Sequence, residues 1–351
     1  MSLSKRSMGI LFLVLAGASA CGWAEAQGPQ LLEVEPFVEL PAGVRYPEGL
    51  AVNPHNGEIY VGTFDARQPA STRNNQLLRY AAAGRLLAQR AFAATPLTGL
   101  GYADGQIYIL NFGAGKLQRI AAEFAADTPV EDLLDFPQLK PAAPAARTVA
   151  NPDGSQDQIH FGSSGMPAPN GLVFAGNGDL YVSDSFQGAL YRIANTTRCK
   201  PCALEVLSRD PLLATAGSLP FGANGLAFNA DESQLYINNA GDGRLLRMRL
   251  PNGEVQVLAE SLPGADGLLF HDGLLWLLAN QIDQLLGLDE QGLIRVRAGG
   301  FQGIASNGAP RDLPLTPAEG DEWEERVSTW NLMRVRLPPP TKGESANAAQ
   351  P

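Results

Sequence analysis

The sequence predicts an all-β fold, a six-bladed β-propeller of four-stranded antiparallel blades that forms one domain over residues 27–337. Three observations carry that prediction. A short motif, a polar residue followed by Gly and then Leu or Ile, recurs along the chain at blade-sized steps. The segments behind each copy alternate apolar and polar residues with period two and are punctuated by Gly, Asn and Asp turns. No stretch sustains the 3.6-residue periodicity of a helical repeat, so blades fit better than a solenoid of helices.

In chain order, Glu48-Gly49-Leu50 leads into Glu58-Ile59-Tyr60-Val61, and Thr98-Gly99-Leu100 into Gln106-Ile107-Tyr108-Ile109. Asn170-Gly171-Leu172 leads into Asp179-Leu180-Tyr181-Val182, and Asn224-Gly225-Leu226 into Gln234-Leu235-Tyr236-Ile237. Asp266-Gly267-Leu268 then leads into Leu274-Leu275-Trp276-Leu277. Third strands follow, such as Lys116 to Ile120, Ala189 to Ile193 and Arg244 to Met248, which makes each unit a small antiparallel sheet. A sixth, weaker copy begins at Gln302-Gly303-Ile304 and ends in a strand from Thr329 to Val335. The segment from Leu31 to Leu40 is expected to close it, because tying both chain ends into one blade removes free sheet edges.

Outside the blades, residues 1–26 read as an export signal: Lys5 and Arg6, an apolar run from Met8 to Ala16, then small residues. Two cleavage sites compete, Ala18-Ser19-Ala20 before Cys21, which would allow lipidation of that cysteine, and Ala24-Glu25-Ala26. The expectation is a periplasmic or secreted protein that meets a membrane only through an anchor at Cys21. Residues 122–167, rich in Ala, Pro and Asp, read as an insertion that is either a lid or a surface loop. Residues 338–351 read as a disordered tail. Cys199-Lys200-Pro201-Cys202 lacks the second pair of a zinc ribbon and the βαβ setting of a redox site, so it is expected to be a small disulfide in a loop.

The chain carries a formal net charge of −10, and loss of the export segment would make it slightly more negative. An acidic surface without a cluster of Lys and Arg interleaved with aromatics excludes nucleic acid as a partner and accommodates cations. A monomer is expected.

The innermost strand of each blade lines a propeller's central channel, so equivalent positions of successive repeats meet at one mouth. The residues before each Gly are Glu48, Thr98, Asn170, Asn224, Asp266 and Gln302, all polar. Glu48, Asn170, Asn224 and Asp266 supply carboxylate or amide oxygens, which is the donor set of a hard divalent cation, Ca²⁺ first and Zn²⁺ or Mg²⁺ as alternatives. The competing explanation is that Asn-Gly, Asp-Gly and Glu-Gly are turn dipeptides placed for backbone reasons. Turn chemistry does not favour Glu48.

With these motifs the chain resembles the gluconolactonase/regucalcin family, whose propeller holds one Ca²⁺ or Zn²⁺ through a Glu, two Asn and an Asp from different blades. The matching segments are Tyr46-Pro47-Glu48-Gly49-Leu50, Pro169-Asn170-Gly171-Leu172, Ala223-Asn224-Gly225-Leu226 and Ala265-Asp266-Gly267-Leu268, in the same order. The resemblance implies hydrolysis of a lactone or small ester, with the metal on the carbonyl oxygen, Asp266 holding or deprotonating the attacking water, and Thr98 and Gln302 as substrate contacts at the channel mouth. Sugar-lactone members place an Arg two residues before the first metal Asn, where this chain has Ala168, so recognition of sugar lactones does not carry over. Paraoxonases resemble this ring too, but Gly49, Gly171 and Gly267 stand where their second calcium is supported.

Two rival functions remain: a non-catalytic propeller whose metal ties the blades together, and the carbon–nitrogen bond formation of strictosidine-synthase-like propellers, which the ring of Glu48 and two Asn matches less well. His55 and His271 fall in turns, and His160, in the insertion, is the one histidine placed to shuttle protons near Asn170. Gly162-Ser163-Ser164-Gly165 lacks the spacing of a nucleophile elbow.

Overall fold

The computed structural model of the chain describes residues 28–66, 68–140, 147–150, 153–159, 166–215, 217, 219–251, 253–299 and 331–335. Residues 1–26, read above as an export signal and containing Cys21, together with His160, the motif at Gln302 and residues 338–351, lie outside the described residues.

The chain opens with β1 (Gln30–Leu32) and β2 (Val34–Glu39). The first blade is β3 (Pro47–Val52), β4 (Ile59–Thr63), β5 (Asn75–Tyr80) and β6 (Leu86–Ala93), and the second β7 (Leu97–Ala103), β8 (Gln106–Asn111), β9 (Lys116–Ala121) and β10 (Glu131–Asp135). A hairpin of β11 (Arg147–Ala150) and β12 (Gln156–Ile159) intervenes. The third blade is β13 (Pro169–Phe174), β14 (Leu180–Asp184), β15 (Ala189–Ile193) and β16 (Leu204–Ser208). The fourth is β17 (Ala223–Phe228), β18 (Gln234–Asn239), β19 (Arg244–Arg249) and β20 (Val255–Ala259). The fifth is β21 (Ala265–His271), β22 (Leu274–Ala279), β23 (Gln284–Leu288) and β24 (Ile294–Ala298). Within every blade the strands pair in sequence order and antiparallel, and β1 adds in parallel to the outer edge of the fifth. The last strand, β25 (Asn331–Val335), pairs antiparallel with β2, so the two chain ends do share a sheet.

Tight hairpins explain the strand spacing. Asp104 (φ 48°) and Gly105 (φ 71°) join β7 to β8, and Asp272 (φ 48°) and Gly273 (φ 73°) join β21 to β22. Two successive left-handed residues make the turn whose twist matches paired strands, and Asp-Gly tolerates it best. The second strand of each blade is buried on both faces, which is why β8, β14, β18 and β22 read as apolar runs. The core lies between blades: Leu226 and Phe228 of the fourth pack with Tyr181 and Leu190 of the third, and Tyr236 and Leu245 of the fourth with Leu275 and Leu277 of the fifth.

Six blades were expected; the described residues form five four-stranded blades, and the sixth position holds only the two-stranded sheet of β2 and β25. That sheet sits between the ends of the ring. Val38 and Leu40 pack on Val61, Leu78 and Tyr80 of the first blade, while Leu32 and Val34 pack with Ala298 and Leu285 of the fifth. The expected inner strand at Gln302 belongs to residues outside the described set. Leu226 and Phe228 of β17 pack on the blade before them, whereas their counterparts Leu50 and Val52 of β3 are 54% and 46% exposed. The stretch 122–167 contains β10, the outer strand of the second blade, as well as the hairpin β11–β12.

Candidate functional site

Each inner strand begins alike, with the ring residue second: Glu48 in β3, Thr98 in β7, Asn170 in β13, Asn224 in β17 and Asp266 in β21. The pairing register slips at each of these places. Pro47 pairs with Thr63 and Leu50 with Val61, so Glu48 and Gly49 together oppose Gly62. The same shift falls between Leu97 and Leu100, Pro169 and Leu172, Ala223 and Leu226, and Ala265 and Leu268. A bulge of this kind re-aims the side chain it carries. These dipeptides lie inside strands, so they are not turns.

The glycines complete the ring. A Cβ on Gly49 would strike the carbonyl oxygen of Thr98, one on Gly171 that of Asn224, and one on Gly225 that of Asp266; on Gly99 it would lie 2.6 Å from the carbonyl of Asn170. Four of the five inner strands therefore rest their glycine against the backbone of the next ring residue, a closeness that any side chain would forbid, while Gly267 of β21 meets only the Leu278 side chain. Five equivalent residues are thereby held at one level around the axis.

Two carboxylates share that level. Asn170, Asn224 and Asp266 are each 6% exposed. Part of the Glu48 residue reaches the surface, but its Oε2 is buried and has no hydrogen-bond partner. Burial, and then the charge of Asp266, push the Glu48 carboxyl well above the usual carboxylate range. A buried carboxylate oxygen without a donor, beside a second carboxylate, is costly unless a cation neutralises it. The donor set of two carboxylates and two amides fits a hard divalent ion.

Neighbouring polar groups fix the ring side chains. Asn170 Nδ2 donates to Ser185 Oγ at 3.0 Å, and Ser185 Oγ donates to the carbonyl of Ala223 at 2.7 Å. Committing the amide nitrogen to Ser185 turns Oδ1 the other way. Ser183 Oγ donates to the carbonyl of Asn224 at 2.6 Å. Asn280 Nδ2 donates to Asp266 Oδ2 at 3.0 Å, and Asn238 Nδ2 donates to the Asp266 carbonyl at 2.7 Å. Ser183 and Asn238 occupy the same place in β14 and β18, while Ser185 and Asn280 occupy the same place just past β14 and β22. Sequence reading passed over all four, although a polar residue ending an otherwise apolar strand is a visible signal.

The remaining assignments separate. Thr98 is buried and its hydroxyl donates to the carbonyl of Pro169 at 2.7 Å, so it binds one inner strand to the next. Gln302 lies outside the described residues. His55 follows the end of β3 and His271 ends β21, both at the opposite end of the channel from the ring. Cys199 and Cys202 are disulfide-bonded in the loop after β15, where the Cys202 amide donates to the Leu133 carbonyl at 2.9 Å and joins the third blade to the second. Among the described residues, no group of three or more His, Cys, Asp or Glu gathers as a metal site, and the ring itself contributes two carboxylates with two amides.

No protein-family model and no curated protein sequence matches the chain. Solved structures do. A luciferin-regenerating enzyme is 13% identical, with 87% of this chain and 95% of that chain covered and a TM-score of 0.55. Regucalcin from Agrobacterium tumefaciens, a calcium-binding protein, is 14% identical over 78% of this chain and 80% of that one, with a TM-score of 0.53. A gluconolactonase from Xanthomonas campestris is 14% identical over 76% and 86%, with a TM-score of 0.46. The structural neighbours thus include gluconolactonase- and regucalcin-like propellers, and at these identities the likeness is one of fold.

Proposed function

We propose that the chain is a metal-dependent hydrolase of lactones or small esters, with its centre at Glu48, Asn170, Asn224 and Asp266. One observation carries the reading: the buried, unpartnered Oε2 of Glu48 sits under the influence of Asp266, on a ring that also carries Asn170 and Asn224. The calcium-binding regucalcin neighbour supports the choice of Ca²⁺. A bound divalent ion would supply positive charge to polarise a substrate carbonyl and to stabilise the oxyanion that forms there.

This chain's own residues do the rest. Glu48, Asn170, Asn224 and Asp266 would hold the cation, with the Asn170 amide oriented by Ser185. Asp266, its carboxylate plane set by Asn280, accepts a proton from the attacking water. The water oxygen bonds to the carbonyl carbon, the acyl C–O bond breaks, and the proton passes to the leaving oxygen, giving a hydroxy acid or an acid and an alcohol.

The test is turnover of a lactone and aryl-ester panel by the purified protein, before and after chelation, with metal content measured on the same sample. Chelator-sensitive turnover restored by Ca²⁺ is the expected result. A stoichiometric metal with no turnover of any substrate would leave the second reading, in which the ion merely ties the blades together.

A further inference from the structure

Four phenylalanines run in an arc beside the ring. Phe64 meets Phe112 edge-on with centroids 5.0 Å apart, Phe112 meets Phe186 at 5.7 Å, and Phe186 meets Phe221 at 5.1 Å. They come from successive blades, and each is anchored at the end of the channel that carries the ring. The amide of Phe64 donates to the carbonyl of Tyr46, two residues before Glu48. Phe112 follows β8 and precedes Gly113, whose amide donates to the carbonyl of Pro96, two residues before Thr98. Phe186 adjoins Ser185, which holds the Asn170 amide, and Phe221 stands three residues before Asn224.

Phe64 is buried, whereas Phe112, Phe186 and Phe221 are all partly exposed. Aromatic rings side by side at the rim of a polar site offer ring faces and edges to a flat apolar group. Polyhydroxylated substrates need hydrogen-bond partners that phenylalanine cannot supply.

From this juxtaposition we infer that the substrate carries an aromatic or similarly bulky apolar substituent, which packs on the arc of Phe112, Phe186 and Phe221 while its ester or lactone carbonyl faces the ring. The inference rests on the hydrolase reading above, and its test separates the two. Two measurements are made on the full-length Ca²⁺-loaded protein. The first compares hydrolysis of γ-phenyl-γ-butyrolactone, γ-butyrolactone and glucono-δ-lactone. The second uses calorimetry to compare binding of 3-phenylcyclopentanone and cyclopentanone, ketones of similar shape that cannot be hydrolysed.

The phenyl ketone is expected to bind at least about ten-fold more tightly than cyclopentanone. Phe186→Ala should erase most of that ratio, and Phe112→Leu, which keeps volume and the fold, should reduce it. Phenyl selectivity in binding with no lactone turned over would uphold the arc and sink the hydrolase. Turnover without phenyl preference, or equal affinity for the two ketones, would sink the arc and leave the hydrolase. A ratio that survives both variants would overturn the arc as well, because the phenyl group would then be held elsewhere.

Discussion

Glu48 on the first blade and Asp266 on the fifth bear on one another: the Asp266 charge adds to burial in holding the Glu48 carboxyl protonated beyond its usual range. The two residues are far apart in sequence and are the acidic members of the ring. A site that needs two buried negative groups side by side is destabilising until something positive binds, and this gives the first expectation.

Glu48→Gln should stabilise the metal-free protein, by roughly 2–4 °C in Tm, because it removes a buried carboxylate that has no donor. In the wild type, Ca²⁺ at a hundred-fold excess over Kd should add about 2.7 kcal/mol. The variant should lose most of that gain. Thermal melts with and without Ca²⁺ check both halves, and a variant that is less stable yet still responds fully to Ca²⁺ would contradict the ligand role.

Asp266→Asn should keep the fold, since an amide can still receive the Asn280 hydrogen bond on its oxygen. Turnover should fall by about two orders of magnitude or more, the usual worth of a positioned proton acceptor. Full turnover in this variant would remove Asp266 from the chemistry.

Ser185→Ala should weaken Ca²⁺ binding about ten-fold, as loss of a group orienting a metal ligand usually does. Calorimetric titration measures it. Unchanged affinity would mean that the Asn170 amide does not depend on Ser185 for its orientation.

Gly171→Ala places a methyl group against the Asn224 carbonyl and should cost about 1–3 kcal/mol. Gly267→Ala meets nothing closer than the Leu278 side chain, 3.1 Å away, and should cost distinctly less. Urea denaturation of the pair compares a glycine that packs against backbone with one that does not.

Away from the ring, Arg79 grips Glu58 through two contacts of 2.8 and 2.9 Å and lowers its carboxyl below the usual range. A lowered folded-state pKa means that the stabilisation is present at neutral pH and is lost as pH falls through the folded value. Wild type should therefore lose more stability than Glu58→Gln on acidification from about pH 5 to about pH 3, a difference on the order of 1 kcal/mol. Parallel pH-dependent melts would expose the reverse order.

Blade count and site were legible to different depths. Alternation and turn residues such as Asp104-Gly105 marked the strands, because period two and left-handed turns are local properties of the chain. The meaning of Gly49 and Gly171 was only half visible. The repeat marks where the glycine stands, but the contact that requires it is a carbonyl on the following blade, a relation that no local pattern records. Thr98 reads in the sequence as a substrate contact at the channel mouth, and only the Pro169 carbonyl opposite shows where its hydroxyl goes. Ser185 and Asn280 escaped notice because their partners, Asn170 and Asp266, lie on other strands.

The two-residue bulge also divides labour within the chain. On four of the five blades its glycine nests against the backbone of the next ring residue, and apart from Thr98, whose hydroxyl ties two inner strands together, the side chain before the glycine is left to chemistry. Threonine already stands in one of the five sockets and amides and carboxylates in the others, all on the same backbone. A scaffold of this kind can exchange one donor for another, blade by blade, and change what it binds without relearning how to fold.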